Sequence, residues 1–591
     1  MSTKKPHEPT SIWHDLLEKK ISRRTAVVGG VAAAAAATLP LDLRTATAAS
    51  QSSASSQTVV NAPRAPQGKL PFKPIAPSTA DDLIVPQGYR WYLLAHRGHD
   101  MGDGTLFGEN TDFTAFFPID LLQKGVDKDL PHLGFNRTDL SNTDGLLLVN
   151  HEYINPMFIS GYTGTAPKSA EQVAAEKSNV GMSVIRVKRD KDGRWYFDQK
   201  DTQHNRRIDA TTPIRMTGPA ADIDGGPMVI GTLGNCSGGA TPWGTALSCE
   251  ENFQDYPASP ADAFGYGWEP EIYGKRHYGW VVEVDPFDKN SVPRKHTAMG
   301  RFRHENVAIR VGGDGTVVAY MGDDKADSCV YKFVADRKLT DLADRGGNMG
   351  ILESGKLYAA DFGNGKWILL DYDSQSALKS AKDSKGNPLF SSQADVLADA
   401  RAAALALKAT PVDRPEDIEI HPLDNSVYIA LTNNTGHGNF HGQIVRLVET
   451  DTTPAATSFD WSIFAVGGPQ SGFSSPDNLV FDGQGNLWMV TDISSSRTGK
   501  GIYKFQGNNA VFFFRTSGPD AGIAYQFASA PIESELTGPS WTPDGQTLFL
   551  SIQHPGEESK SLSELSSHWP LGGNEVPRSA VVAITGFPRI K

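Results

Sequence analysis

The sequence of 591 residues lacks several features that mark common protein classes. It has only three cysteines, too few for a disulfide framework, and one thiol stays free even if two pair. The motifs H-E-x-x-H and C-x-x-C are absent, which argues against an ordinary zinc site, and a P-loop is absent too. The formal net charge is −12, which argues against a surface for nucleic acid.

Long apolar runs are also scarce, and the N-terminal one is short and alanine-rich for a membrane span. It follows a twin-arginine motif, SRRTAV at residues 22–27, and precedes an A-x-A cleavage site at 46–48. We therefore predict a twin-arginine signal peptide over residues 1–48, a disordered linker over 49–79 and one folded domain over 80–591. The mature protein is expected to be a periplasmic or extracellular monomer without a membrane span, delivered by the twin-arginine export machinery.

An apolar run that ends abruptly in polar or acidic residues occurs six times along the chain. These runs cover residues 145–153, 244–252, 315–324, 425–434, 485–493 and 546–555. A short polar motif precedes each run. When the six units are aligned, these motifs form one column of equivalent positions and the ends of the runs form a second column. These motifs cover residues 135–139, 235–239, 303–309, 414–420, 475–481 and 537–543.

Six strand–turn–strand units at uneven intervals predict a repeat architecture. An all-β fold, a six-bladed β-propeller with helical and loop insertions, fits best, because blades around one axis explain six copies of the same ending. A β-sandwich is the alternative, but it gives no reason for the repetition. Helical insertions are expected at residues 169–179 and 393–409.

The innermost strands of a propeller converge, so both columns are expected near one end of the axis. The residues gathered there would be Glu152, Cys236, Glu250, Glu251, Glu305, Asp323, Asp324, Glu416, Asp417, Asp477 and Asp492. So many carboxylates cannot all stay ionised together without cations. Carboxylate oxygens suit Ca²⁺, whereas a thiolate favours a softer or transition metal such as iron or zinc. The sequence therefore predicts a site for several cations.

Individual members of this set have structural alternatives. Asp324, Asp417, Cys249 and Cys329 are expected to be structural. Cys236, in glycine-rich surroundings, is expected to be a ligand. Arg414 either neutralises charge in an acidic funnel or binds the anionic oxygens of a substrate. The residues leave open whether Glu250 or Glu251 faces the metals.

Several long motifs carry a resemblance to a known family. They are SRRTAV, NHEYINP, NCSGGATPWGTALSCEENF, RFRHENVAI, RPEDIEIHP, SSPDNLVFD and WTPDGQTLFLSIQHPGE. Together they resemble the PhoX-type secreted alkaline phosphatases, from about residue 80 to the end of the chain. The resemblance implies a six-bladed propeller that hydrolyses phosphomonoesters to scavenge phosphate. It also implies a cluster of two ferric ions (Fe³⁺) and several calcium ions (Ca²⁺) with a bridging oxo group.

The resemblance also assigns roles to residues of this chain. It implies that Arg414 binds the substrate phosphate, that Glu416 belongs to the catalytic centre and that a metal-bound oxo or hydroxo oxygen attacks phosphorus. The implied metal ligands are Cys236, Glu152, Glu250 or Glu251, Glu305, Glu416 and Asp477.

Two other functions compete with this one. A calcium-dependent propeller hydrolase of lactones or phosphotriesters would need an axial calcium but no thiolate ligand. An interaction platform without enzymatic activity would bind no metal. Analysis of the bound metals separates the three.

Overall fold

The computed structural model describes residues 12–28, 66–125, 137, 139–164, 167–260, 262, 265–451 and 453–588. Most of the regular structure in this part of the chain is antiparallel β-sheet, and the sheets form six blades. The predicted six-bladed propeller is therefore confirmed.

The strands of the first three blades are given from the axis outward. Blade 1 comprises Thr111–Pro118, Asp144–His151, Gly181–Arg189 and Trp195–Phe197, with Arg206–Ile208 also paired to the third strand. Blade 2 comprises Asn235–Ala240, Ala246–Glu250, Val281–Val284, Arg294–His296, Pro213–Thr217 and Met228–Ile230. Blade 3 comprises Ala308–Val311, Val317–Gly322, Val330–Ala335, Gly355–Asp361 and Lys366–Leu369.

The remaining blades have four strands each. Blade 4 comprises Pro415–Ile420, Val427–Leu431, Gln443–Glu449 and Phe459–Val466. Blade 5 comprises Pro476–Phe481, Leu487–Thr491, Ala510–Phe514 and Tyr525–Ser529. Blade 6 comprises Glu535–Trp541, Thr547–Gln553, Ala580–Thr585 and Arg90–His96. A separate two-stranded sheet pairs Ala326–Ser328 with Val412–Asp413.

Apart from Ile12–Val28, which precedes the first strand, the helices of the described residues are short and lie in the connections. The α-helices span Ile12–Val28, Leu121–Lys124, Pro156–Ile159, Ala170–Lys177, Pro270–Tyr273, Arg345–Asn348, Ser376–Ser380, Gln393–Ala398 and Ala400–Ala406. The 3-10 helices span Ile223–Gly225, Phe253–Asp255, Thr297–Met299, Ile351–Glu353, Thr435–His437 and Gly501–Tyr503.

Both predicted helical insertions are present. Ser169 and Gln172 form a capping box at the start of the first, which satisfies backbone groups that the helix end leaves unpaired. Asp399 interrupts the second insertion and caps its second half by accepting a hydrogen bond from the backbone N–H of Ala402. In the described residues, no helix has both the length and the apolar character needed to cross a bilayer.

The innermost strands form a closed ring, because each contacts the innermost strand of the next blade and blade 6 contacts blade 1. Blade 6 is built from both ends of the propeller. Its outer strand Arg90–His96 pairs antiparallel with Ala580–Thr585, so that Arg90 lies opposite Thr585. Closure in this way leaves the ring without a gap between its first and last blades.

Apolar side chains fill the space between neighbouring blades. Trp488 of blade 5 and Trp541 of blade 6 are buried with their ring centroids 5.3 Å apart, and Phe527 packs on Trp488 at 5.1 Å. Burying a side chain of this size stabilises the fold by roughly 1.5–3 kcal/mol. The hydrophobic layers hold the blades together and leave the axial end to polar residues.

The N-terminal side departs from the sequence prediction. Leu70 and Phe72, within the predicted linker, are buried in the core shared by blades 5 and 6. Trp13, on the helix that carries the twin-arginine motif, is fully buried between Phe362 and Trp461. Packing against the propeller thus begins before residue 80. The predicted cleavage site lies outside the described residues.

Candidate metal centre

The innermost strand of each blade carries a one-residue bulge at the same height. In blade 2, Asn235 pairs with Glu250 but Gly238 pairs with Ser248, so three steps on one strand match two on its neighbour. The same shift falls between Thr111 and Thr114, Pro415 and Ile418, Pro476 and Leu479, and Thr537 and Ser540. In blade 3 it falls between the bridge of His304 to Asp323 and the pair Ala308–Tyr320. A bulge bends a strand and redirects its side chains.

The first residue of each bulge supplies a donor atom near the axis in every blade except blade 6. In blade order these residues are Asp112, Cys236, Glu305, Glu416, Asp477 and Gly538. Five of the six blades therefore present a carboxylate or a thiol at equivalent positions. Blade 6 has a glycine there with φ +54, where a Cβ atom would lie 2.5 Å from the backbone nitrogen of Thr114.

These donors, with two glutamates from the second column, form three overlapping groups. In each group, one donor atom per residue lies within 4.8 Å of the others. The groups are Asp112, Glu152 and Cys236; Cys236, Glu251 and Glu305; and Glu305, Glu416 and Asp477. Because Cys236 and Glu305 are shared, the groups form one continuous buried cluster, called the axial cluster below.

The thiol of Cys236 lies at the centre of the axial cluster. Its Sγ is 3.3 Å from Oδ2 of Asp112 and 3.2 Å from Oε2 of Glu305. Burial, and then the nearby Asp112 and Glu305, raise the pKa of the Cys236 thiol well above its usual value. A thiol in this position is protonated unless a cation offsets the carboxylates around it.

The carboxylates are perturbed in the same direction. Burial, and then Glu416 and Asp477, raise the pKa of Glu305 well above its usual value. Burial, and then Asp324, do the same for Glu251. Like charges this close and this deeply buried are unfavourable without compensation. Bound cations would supply that compensation.

The donor set fits such cations. Oδ1 of Asp112 is buried and has no hydrogen-bonding partner in the described part of the chain. Carboxylate oxygens suit Ca²⁺, and a thiolate among them suits a transition metal. The residues brought together are thus consistent with a mixed metal site.

The structure separates the two adjacent glutamates. Glu251 belongs to the axial cluster, where Asn252 also donates a hydrogen bond to it. Glu250 points the other way: its Oε1 lies 2.8 Å from Nζ of Lys295, and its Oε2 accepts hydrogen bonds from the backbone N–H groups of Gly279 and Trp280. The expectation that Glu250 is a metal ligand does not fit this geometry, because its carboxylate is already fully paired.

Arg414 lies at the edge of the axial cluster in a left-handed backbone conformation, φ +50. Its Nε and Nη2 form a bidentate pair with Asp324 at 2.9 and 2.7 Å, and Nη2 also contacts Glu416 at 2.5 Å. Its Nη1 lies 3.8 Å from Asp492. Nε and Nη2 of the guanidinium are therefore fixed by Asp324 and Glu416, whereas Nη1 has only the longer contact to Asp492.

Asp417 and its equivalents in neighbouring blades, the second residues of the bulges, link one blade to the next. The Asn306 amide donates to the backbone oxygen of Ile418 at 2.7 Å and accepts from its N–H at 3.0 Å. Asp417 accepts a hydrogen bond from the N–H of Leu479 at 2.9 Å, and Asn478 accepts one from Gly538 at 2.7 Å. These contacts set the spacing of the blades that carry the donors.

Other candidates lie away from the axial cluster. Asp323 pairs with Arg401 at 2.6 Å, and Cys249 and Cys329 are buried in the apolar core between blades 2 and 3. His151 contacts Ser183 Oγ at 2.8 Å, and His304 contacts the backbone oxygen of Gly300 at the same distance. These side chains stabilise the blades rather than face the donors.

Sequence reasoning missed Asp112 and Glu535. The sequence pattern predicts the polar motif of blade 1 at 135–139, but the strand that pairs with Asp144–His151 is Thr111–Pro118. Residues 135, 136 and 138 lie outside the described chain. The sequence NTDFTAFFP has an aspartate directly before an apolar run, and this pattern is the sequence signal for Asp112. Glu535 was not found because it precedes its motif, yet Asp492, Asp477 and Asp112 add to burial in raising its pKa.

Comparisons with known proteins support one assignment. A family model described as alkaline phosphatase PhoX matches residues 70–556. The solved structure of Pseudomonas fluorescens PhoX in complex with vanadate, a transition state analogue, is 34% identical with a TM-score of 0.74 and covers 87% of this chain and 97% of that one. No curated protein matches the chain significantly.

A more distant likeness carries no functional argument. The gluconolactonase XC5397 from Xanthomonas campestris is 12% identical with a TM-score of 0.27, covering 68% of this chain and 82% of that one. The family match instead spans most of the described propeller, including every first bulge residue from Asp112 to Gly538. The chain therefore belongs to the PhoX alkaline phosphatase family.

Proposed function

We propose that this alkaline phosphatase hydrolyses phosphomonoesters at a mixed cluster of two ferric ions and several calcium ions bound at the propeller axis. The family is one of metal-dependent phosphatases, and the solved relative binds vanadate as a transition-state analogue. The observation that carries the proposal is the thiol of Cys236, buried within 3.3 Å of two carboxylates in a cluster short of positive charge.

The proposed ligands come from the bulges and from the second column. They are Asp112, Glu152, Cys236, Glu251, Glu305, Glu416 and Asp477. Cys236 has to lose its proton to bind a metal, so metal loading is expected to release protons and to weaken at low pH. The bound cations would supply charge neutralisation and Lewis-acid activation of the phosphoryl group.

Arg414 is proposed to bind the substrate phosphate. Asp324 holds Nε and Nη2 of the guanidinium, which fixes its plane before a substrate arrives. The Nη1 group, on the side of Asp492, then donates to a non-bridging oxygen. Glu416 contacts the same guanidinium and belongs to the cluster, so it couples the position of the phosphate to that of the metals.

The competing lactonase or phosphotriesterase function is not favoured, because the matching family is one of phosphomonoesterases. We further propose that the chain is exported by the twin-arginine route, acts in the periplasm or outside the cell as a monomer, and scavenges phosphate there.

Elemental analysis of the purified protein, together with a phosphomonoesterase assay with and without calcium chelation, tests the proposal. We expect iron and calcium to co-purify and chelation to abolish turnover. Cys236→Ala should lose iron and reduce turnover by roughly 100-fold or more. Cys329→Ala, a change at a core cysteine, is the matched control and should keep both. A Cys236→Ala protein with full iron and full turnover would contradict the assignment.

A further inference from the structure

A cavity of about 920 Å³ lies beside the axial cluster. Its wall includes Tyr153, which directly follows the cluster residue Glu152, and His554, whose Nε2 is 3.3 Å from the carboxylate of Glu535. The cavity is in the size range of sites for small organic molecules and is far larger than a phosphate group needs. Its wall therefore begins one residue from the axial cluster, at Tyr153.

One side of this cavity is aromatic and apolar, whereas the other side carries serines together with Asp262 and Lys560. Tyr153, Tyr162 and Tyr266 line it together with Met157. Lys168, the buried cation in the wall, is already paired with Glu176 at 2.6 Å. Tyrosine rings bind flat, uncharged groups by stacking, so the wall favours a ring over a charged chain.

The carboxylate of Glu557, which lies beside Tyr153, already has hydrogen-bonding partners. Glu557 accepts hydrogen bonds from the Tyr153 hydroxyl at 2.8 Å and from Ser495 at 2.7 Å. Its negative charge lies where it would repel a second phosphate or a carboxylate of the ligand. The wall therefore disfavours an anionic organic group.

Asn110 contributes a polar group to the wall. It is fully buried, and neither Oδ1 nor Nδ2 has a hydrogen-bonding partner in the described residues. Asn110 and His554 both line the cavity with positive φ, +41 and +39. Strained non-glycine residues persist where their surroundings impose them and concentrate at functional sites. An unpaired buried amide calls for a partner that the chain itself does not supply.

We propose that this cavity is the subsite for the organic group of the phosphomonoester, and that it favours a planar, uncharged ring with hydrogen-bonding groups, such as the nucleoside of a nucleoside 5′-monophosphate. The inference rests on the proposed function. An amide offers a donor and an acceptor side by side, so a small rotation of the Asn110 side chain lets it pair with the complementary edge of a heterocycle. The phosphate stays at the axial cluster and Arg414.

Two substrates with similar leaving groups test the subsite. Glycerol phosphate and a nucleoside 5′-monophosphate both release an alkyl alcohol, so the ratio of their kcat/KM values reports the organic group rather than the chemistry. Met157→Trp fills the cavity and should lower kcat/KM for the nucleoside 5′-monophosphate roughly tenfold relative to kcat/KM for glycerol phosphate. Leu423→Trp, at an exposed position of blade 4, is the control and should leave the ratio unchanged.

A second variant tests Asn110 itself. Asn110→Gly keeps the left-handed backbone accessible and removes the side chain together with its amide. It should lower kcat/KM for the nucleoside 5′-monophosphate by roughly two- to tenfold, with little change for glycerol phosphate. Inhibition by inorganic phosphate should be unchanged in both variants, which shows that the metal centre is intact.

The outcomes separate this inference from the proposed function. If the unaltered enzyme hydrolyses neither substrate, the proposed function fails and the subsite fails with it. If the enzyme hydrolyses both substrates but Met157→Trp changes neither rate, or lowers both equally, the phosphatase assignment stands and the subsite is overturned.

Discussion

Blade 2 and the propeller axis both bury acidic side chains, but the two regions differ in whether basic side chains compensate the negative charge. In blade 2, Glu250 and Lys295 are both fully buried 2.8 Å apart, and Glu283 lies 2.8 Å from His296. Each acid there has a basic partner. At the axis, Glu251, Glu305 and Asp477 have mainly other acids as neighbours, and burial raises the pKa of each well above its usual value.

The difference distinguishes structural charge from functional charge. A buried acid with a fixed partner completes the fold, and removing either partner leaves an uncompensated charge. A buried group of acids without partners is unfavourable unless something else is bound there. The adjacent residues Glu250 and Glu251 are one example of each: Glu250 has a basic partner, and Glu251 lies among other acids. Substitutions at these two positions therefore compare structural with functional charge directly.

The largest effect is expected from Glu251→Gln. The change removes a charged donor from the axial cluster while keeping the size of the side chain. Turnover of a phosphomonoester should fall by roughly 100-fold or more, with a loss of bound metal. Steady-state kinetics and elemental analysis of the same preparation measure both. Unchanged metal content and turnover would show that Glu251 is not a ligand.

Glu250→Gln should act on stability instead. It leaves Lys295 buried without its counter-charge, which is expected to lower the free energy of unfolding by about 3–5 kcal/mol. Denaturant unfolding measures the loss. Protein that remains folded should keep its metal and its kcat. A kcat loss as large as that of Glu251→Gln, at full stability, would reverse the assignment of the two glutamates.

The pH dependence of the metal-free protein should show the uncompensated acids. Glu251, Glu305 and Asp477 have raised pKa values in the fold and ordinary values, about 4, in the unfolded chain. The folded state therefore holds more protons, and its stability is fully present below about pH 4 and is lost as the pH rises through the folded pKa values. Metal binding removes this dependence.

Thermal unfolding in chelator from pH 5 to pH 8 measures the effect. We expect Tm of the metal-free protein to fall by several degrees across this range, and Tm of the metal-loaded protein to change much less. An acid with a partner behaves in the opposite way: the hydrogen bond from Arg276 lowers the pKa of Asp224 to about 2. A constant or rising Tm in chelator would mean that the axial acids are compensated by the chain itself.

The smallest effect is expected from Cys249→Ala. Cys249 is fully buried in an apolar core and takes no part in the axial cluster. The change leaves a small cavity and should lower the free energy of unfolding by about 1 kcal/mol, with iron content and turnover unchanged. Loss of iron in this variant would show that iron binding does not depend on Cys236 alone among the cysteines.

Much of the architecture was predictable because it repeats. Six apolar runs with the same ending specify six blades, and the motifs NCSGG, RHEN, RPED and SPDN carry four of the first bulge residues: Cys236, Glu305, Glu416 and Asp477. Repetition in register is visible in a sequence. The donors therefore lie in the predicted motifs even though no pair of them is close along the chain.

The remaining features depend on geometry that the sequence does not display. Glu250 and Glu251 point to opposite sides because neighbouring residues in a strand alternate, and the register around the bulge decides which one faces the axis. Asp112 is not apparent from the sequence because a connection of 25 residues, 119–143, separates its strand from Asp144–His151, whereas hairpin strands are usually joined by a short turn. The cavity beside Tyr153 arises from segments far apart in sequence.

Closure of the ring has a consequence for the order in which the site can form. Ala580–Thr585 lies between Arg90–His96 and Thr547–Gln553, so blade 6 is incomplete until the last residues have been synthesised. Asp112 and Asp477 are far apart along the chain, and the ring that brings their blades to one axis is closed through blade 6. A chain that stops before Ala580–Thr585 would therefore lack the strand that closes blade 6 against Arg90–His96, and the ring that brings the donors together would stay open.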